Sequence, residues 1–451
     1  MDSSSTSESP YQAPADPPRS RFNWLATSKG RLAAFTLLYV TEGIPLGFCA
    51  TAVATYMRRE GVSVEEMGLF VGALFAPWGV KWLFGPFVDL IGIERLGRRR
   101  GWILFAQIMM VLGLMGSVTI DYTTELKLFT MVMVGVNAFC ALQDVAIDAL
   151  AVASLKDEER GIGNGLMFAG AYMGQALGGA AMLWLAGRTG SLTPAFFVVA
   201  GMVAAVTVFV VLPMREAPSQ APRGSLAEVG AQVLDYVITA AKAMLGSVRG
   251  FAALALALLP AGAMAMGLAL QAALAVELGL SDDAIATLSL VGSIVAASGS
   301  VLGGVIADRV GHRKALGVYF GLTLLPTAAL ALAMQQFGWI LPVDPTAADS
   351  PAVPATLTTI FIAATLVYGF FSGLTYGARM AVFMKVCDPR IAGTQFTAYM
   401  ALSNLAISYS AWWQGSAAGS WGYPLTLGLD CAAGIVCLLA LPFVTPRPAE
   451  G

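Results

Sequence analysis

Apolar residues along this chain come in long uninterrupted runs, not at the spacing of a half-buried helix or strand. Twelve such runs stand out: 31–57, 66–91, 101–120, 127–154, 162–187, 193–213, 250–277, 284–307, 314–335, 355–384, 392–418 and 423–443. A bilayer core takes about 20 apolar residues as helix, so each run predicts one membrane-spanning helix. Runs 1, 2, 4, 10 and 11 are interrupted by isolated charged or polar positions. The pattern predicts an all-α polytopic membrane protein.

The polar stretches between runs set the layout. Residues 1–30 begin with Ser, Pro and acidic residues and predict a disordered tail, not a signal peptide. Residues 31–213 form a first six-helix half and 250–443 a second. Residues 214–249 are the longest linker and contain a weakly amphipathic stretch, 226–246. Residues 336–354, rich in Pro, read as a surface loop, and 444–451 as a short tail. Twenty Lys and Arg fall on the side of the two termini, against four (Arg58, Arg59, Lys127 and Arg188) on the other. The positive-inside rule then puts both termini in the cytoplasm.

Composition narrows the chemistry. The chain has 451 residues, of which 57% are hydrophobic and 12% charged, too few charges for a solvated surface of this size. A net charge of −2 gives no general attraction to nucleic acid. His312 is the one histidine, which excludes multi-histidine metal sites and a histidine proton relay. No Lys is followed by Ser or Thr, so there is no Walker A loop and no built-in ATP motor. The five Cys lack CxxC spacing and read as small buried hydrophobes. No cofactor is expected, and an enzyme is not: no nucleophile–base pair with His is available.

Two loops repeat one pattern. The first runs from Gly85 to Asp89 and on through Gly97, Arg98, Arg99 and Arg100. The second runs from Gly304 to Asp308 and Arg309, then Gly311, His312, Arg313 and Lys314. Each follows the second span of a half, so the chain reads as two six-helix halves in parallel repeat. Glycine here would let two helices approach closely, with the Asp near a basic cluster as a charged latch. The pattern resembles the loop signature of the major facilitator superfamily, where it helps hold one conformation and does not bind substrate. The first copy has five extra residues between Asp89 and Gly97.

A charge in the bilayer centre costs about 2.5–3.5 kcal/mol on insertion scales, so those inside runs are the informative residues. Glu42 lies in run 1, beside Pro45, where a broken helix is expected to line a cavity. Lys81 lies in run 2. Asp144 and Asp148 share one face of run 4, with Gln143 adjacent. Arg379 lies in run 10, three residues after Tyr376, and Gln395 and Tyr399 share a face of run 11. Charges of both signs suit a zwitterionic or anionic substrate plus a protonatable carboxylate, with Glu42 or Asp144 as the coupled proton site. Lys81 paired with an Asp purely for structure is the alternative. Glycines at every fourth position (Gly170, Gly174 and Gly178; Gly299 and Gly303; Gly369, Gly373 and Gly377; Gly415 and Gly419) allow close contact. In the major facilitator fold spans 5 and 8 face each other, so those stripes fit rocking of one half on the other.

Four stretches carry a narrower resemblance. They are Glu42-Gly-Ile-Pro-Leu-Gly47; Lys81-Trp-Leu-Phe-Gly-Pro-Phe-Val-Asp89 with Gly97-Arg-Arg-Arg-Gly-Trp102; Ala141-Leu-Gln-Asp-Val-Ala-Ile-Asp148 with Glu158-Glu-Arg-Gly161; and Cys387-Asp-Pro-Arg-Ile-Ala-Gly-Thr-Gln-Phe-Thr397 with Ser403-Asn-Leu405. They resemble the AmpG-type muropeptide permeases and their relatives, the acetyl-coenzyme A transporters. The resemblance implies a proton-coupled importer of anhydro-muropeptide in a bacterial inner membrane. It would put Gln143, Asp144, Asp148 and Lys81 on the transport path. The Asp388-Pro stretch leans toward the acetyl-coenzyme A branch. The expected partners are the bilayer, protons and a small polar solute, and a monomer is expected. Other anionic solutes, of siderophore or acetyl-coenzyme A type, and a non-transporting membrane sensor on the same fold are the alternatives.

Overall fold

The computed structural model describes residues 23–91, 96–216, 225–267, 269–348, 350–387 and 392–444. The expected amino tail to residue 22, Arg95, Arg223, Asp388 to Arg390 and Arg447 lie outside them. All regular structure among the described residues is helical. The first half comprises α1 (Ser28–Arg59), α2 (Val64–Leu90), α3 (Arg98–Ser117), α4 (Leu126–Ser154), α5 (Ile162–Thr189) and α6 (Thr193–Val211). The linker holds α7 (Leu226–Leu245). The second half comprises α8 (Val248–Leu258), α9 (Ala269–Glu277), α10 (Asp282–Val310), α11 (His312–Phe337), α12 (Ala355–Val386), α13 (Ala392–Trp421) and α14 (Tyr423–Phe443).

Ten described helices are long and apolar enough to cross a membrane. Two of the twelve expected runs are not among them, each for a physical reason. Run 7 is interrupted beside Pro260, which has no backbone donor, so it becomes the short helices α8 and α9. Helix α13 is 30 residues long, but Ser, Thr, Gln and Asn recur along it. Helix α7 meets α8 at a bend of 108°.

Local chemistry sets the other irregularities. Helix α1 is not broken at Pro45; it relaxes into a π-helical turn, Phe48–Val53, just beyond. Helix α2 opens with a capping box between Ser63 and Glu66. Past Pro77 and Gly79 it tightens into a 3-10 turn, Lys81–Leu83. The repeat is visible in the backbone: Gly97 and Gly311 take φ of 84° and 93° at the starts of α3 and α11. Side chains disfavour that region, so glycine is required in both copies.

The glycine stripes pack differently from expectation. A Cβ at Gly174 would sit 2.2 Å from the Val40 carbonyl oxygen, and one at Gly178 would sit 2.0 Å from that of Ile44. The α5 stripe therefore locks α5 to α1 within the first half. Likewise Gly299 and Gly303 meet α12 at Phe370 and Leu374 within the second half. These stripes hold each half together, while α5 and α10 do face each other across the halves, as where a Cβ at Gly187 would meet Asp282 at 2.9 Å. A backbone-close contact between halves is α2 on α13, where a Cβ at Gly68 would lie 2.7 Å from the Ala411 oxygen and one at Gly415 would lie 2.7 Å from that of Val64.

Candidate functional site

Bonds between distant segments define two ends. At the basic end Asn23 exchanges hydrogen bonds with the Arg215 backbone, at 3.0 and 2.8 Å. There too Arg100 donates to the Val211 and Leu212 carbonyls, and Arg313 to that of Pro442. The start of α1, the end of α6, the start of α11 and the end of α14 are thus tied at that end.

Between the halves lies a cavity of about 380 Å³, within the range of small-molecule sites. Its wall is polar but uncharged where it can bond: Tyr172 and Gln175 from α5, Gln271 from α9, Ser289 and Ser293 from α10, and Tyr368 from α12. Of the nine path residues expected from sequence, Tyr376 alone lines it.

Four of the others gather in one cluster in the first half. The 3-10 turn after Gly79 carries the Lys81 ammonium to 2.7 Å from Asp144 Oδ2. Asp144 is 3% exposed. The Glu42 carboxyl reaches within hydrogen-bond range of Asp144, and its Oε2 is buried without a partner. Asp148, one turn along α4, accepts a hydrogen bond of 2.5 Å from the Tyr39 hydroxyl, and its side chain is exposed. Three carboxyls thus surround one ammonium. Tyr376 crosses from the second half into electrostatic range of Lys81, Glu42 and Asp144.

Arg379 lies in the second half, three residues after Tyr376 on α12. It is 6% exposed, its Nε has no partner, and no carboxylate faces it among the described residues. Its surroundings are Tyr376, Tyr368 and Cys437. An unpaired buried guanidinium costs several kcal/mol.

The remaining expected residues have other work. Gln143 is fully buried and donates to Thr41, which also receives Gln107; Gln107 in turn accepts from Thr207. That chain ties α1, α3, α4 and α6 behind the cluster. Gln395 donates to Tyr399 at 3.0 Å, and Tyr399 is fully buried and stacks on Phe383. This pair packs the second half. In the loop motif, Arg98 donates to the Asp89 carbonyl at 2.8 Å, with Arg99 also near the Asp89 carboxylate. Asp308 pairs with His312 at 2.9 Å, and Arg309 and Arg313 are exposed. A Cβ at Gly85 would meet nothing within 4 Å, so the close helix approach expected there is not made; at Gly304 it is, since a Cβ at Gly377 of α12 would lie 3.4 Å from the Gly304 nitrogen.

Three features were missed from sequence. Tyr39 precedes Glu42 by three residues and so shares its face, a signal that was available. Asp430 is a charge inside run 12; fully buried, it accepts from the Met264 and Ala265 amides and from Gln414, capping the gap in run 7. Arg58 and Glu277 form a buried ion pair of 2.7 Å between the halves at the end opposite the basic one. Glu277 also accepts from Tyr423 at 2.6 Å and from the Val343 amide at 3.1 Å. No sequence signal joins residues so far apart.

Known proteins match this architecture. The profile described as Major Facilitator Superfamily matches residues 35–411. An anhydromuropeptide permease of Escherichia coli K12 is 31% identical over 161 residues, 35% of this chain. The match spans only 32% of that relative's length. A putative transporter AmpG 4 of Rickettsia conorii is 22% identical over 83% of this chain and 87% of its own. Among solved structures, the nucleoside transporter NupG superposes with a TM-score of 0.64 at 13% identity, covering 92% of this chain and all of that one. The inward open xylose transporter XylE of E. coli gives 0.62 at 14%, covering 93% and 98%. At such identities the solved structures speak to fold alone.

Proposed function

The chain belongs to the major facilitator superfamily, and on that premise we propose that this transporter imports a large polar anionic solute together with a proton. Anhydro-muropeptide is the best single candidate. The observation that carries this reading is the division of charge between the halves: three carboxyls and Lys81 in the first, the partnerless Arg379 in the second, with Tyr376 of the cavity wall in electrostatic range of both. Two buried carboxyls, Glu42 and Asp144, beside a single ammonium repel each other when both are charged, which makes that pair a place to carry a proton. Asp148, exposed beside it, is the group through which the proton reaches water. Arg379 suits a carboxylate of the solute, and the neutral amides, hydroxyls and tyrosine rings of the cavity suit glycan. The partial likeness to the E. coli permease supports the same choice.

The basic end faces the cytoplasm of a bacterial inner membrane on this reading, with both termini inside. Energy comes from the proton gradient and no cofactor takes part. The single chain encloses the whole cavity, which favours a monomer. A nucleotide-type anion such as acetyl-coenzyme A is the weaker reading. Its phosphates need several free cations, and Lys81 is already held by Asp144, leaving Arg379 as the unpaired one within the described spans.

The test is uptake of labelled anhydro-muropeptide into proteoliposomes, with and without an inward proton gradient. Gradient-driven uptake that Asp144→Asn abolishes at normal expression is expected. Uptake indifferent to the gradient would remove the coupling, and none by well-folded protein would remove muropeptide.

A further inference from the structure

Helix α7 has three faces. With 3.6 residues per turn, Val229, Tyr236, Ala240 and Met244 fall in one sector. That sector lies against the bundle: Val229, Ala240 and Met244 are 2%, 7% and 5% exposed. Tyr236 stacks on Trp82 of the first half, with ring centres 5.0 Å apart, and hydrogen-bonds Thr397 of the second. A second sector, about 120° away, holds Glu228, Gln232, Asp235 and Lys242, all exposed. The third holds Leu234, Val237, Ile238 and Leu245, which are 59%, 40%, 41% and 62% exposed.

A helix lying on a bundle in water needs two faces, one apolar and one polar. A second apolar face left open on the far side requires a second apolar medium. Its position says which. The exposed stripe runs without interruption from Leu245 through Val248 to Phe251, which are 76% and 58% exposed on the outside of α8. Helix α8 begins the seventh crossing, so its outward apolar side meets lipid. The 108° bend turns α7 across that direction. Lys242, on the water sector, and Arg249, at the bend, supply positive charge beside the stripe.

We infer that α7 is an interfacial helix. Its third face is sunk in the acyl-chain boundary of the leaflet at the basic end, and Lys242 and Arg249 meet anionic headgroups. Tyr236 makes it a lipid-held strap across the α2–α13 seam. The inference is independent of what the protein transports.

The test is depth measurement with nitroxide labels on single cysteines in the full chain, in vesicles of phosphatidylcholine and phosphatidylglycerol. The native cysteines are buried or half-buried, so an introduced surface cysteine labels first. Leu234→Cys and Ile238→Cys are compared with Asp235→Cys and Lys242→Cys, each checked for a monodisperse profile. Collision with oxygen relative to a water-soluble nickel chelate is expected to be several-fold higher at 234 and 238 than at 235 and 242. Equal ratios at all four positions would overturn the inference, as would chelate access at 234 and 238 matching that at 235. The two apolar positions are independent, so failure of one variant to fold leaves the other to decide.

Discussion

The two ends of the bundle are held by different kinds of bond. At the basic end, charged groups tie helices within one half: Arg31 to Glu159 at 2.6 Å, Arg100 to the α6 carbonyls, Lys385 to His312. At the opposite end they tie one half to the other, through Arg58–Glu277 and Arg59–Asp282. The ends therefore differ in what breaking a bond would do. Loss at the basic end loosens a half; loss at the opposite end parts the two. The ion pairs between the halves therefore fasten the Arg58 end.

Five substitutions press on that difference. Glu277→Gln leaves Arg58 charged and 3% exposed, at a cost of about 3–5 kcal/mol. Labelling of Ala275→Cys, on the cavity wall, by an impermeant maleimide from the far side is expected to rise at least tenfold. Unchanged labelling would break the comparison. Glu159→Gln removes the matching bond at the basic end and, with solvent screening allowed for, is expected to lower stability by about 2 kcal/mol at pH 7 with no change in that labelling. The Arg31 hydrogen bonds hold the Glu159 carboxyl down to about 2. Its contribution is present in full above the ordinary carboxylate value of about 4.3 and is lost as the pH falls through about 2. Melting curves of the two proteins should converge across that interval. Gly174→Ala and Gly415→Ala each force a contact and cost about 2 kcal/mol. The first should lower the melting temperature, since its clash with Val40 lies within one half. The second should slow uptake, since its clash with Val64 lies on the seam. A reversed outcome would move the hinge elsewhere. Asp282→Asn should do least. Its partner Arg59 has a side chain 32% exposed, so about 0.5 kcal/mol and under a threefold rise in labelling are expected.

What sequence revealed follows from the range of each interaction. Hydropathy is local, so the spans and the two halves were readable. The requirement for glycine at positions 97 and 311 is local too, and the repeat rested on it. That Lys81 could pair with an Asp was readable, because each is a costly charge in a long apolar run, but which Asp was not; the fold selects Asp144. Which helix a glycine stripe meets is not local: the pattern at 170, 174 and 178 says only that some backbone comes close, and it is α1 rather than α10. Arg58 and Glu277 lie at the ends of runs, where charge is ordinary, and only the fold makes them partners. Gln395 and Tyr399 share a face as read, but that face turns into the second half. Pro260 and Asp430 were visible and went unweighed; together they make the gap in run 7 and cap it.

That gap gives α9 a mechanical character. It is a rod of nine residues, about 14 Å long at 1.5 Å per residue. One end is seated near the Met264 and Ala265 amides, pinned by Asp430. The other carries Glu277, and Gln271, Ala272 and Ala275 of the cavity wall lie between. A rod this short does not flex, so load and latch share one lever with its pivot at Asp430. A solute pressing the middle of the lever moves its tip farther than itself, and the tip is where the two halves are fastened.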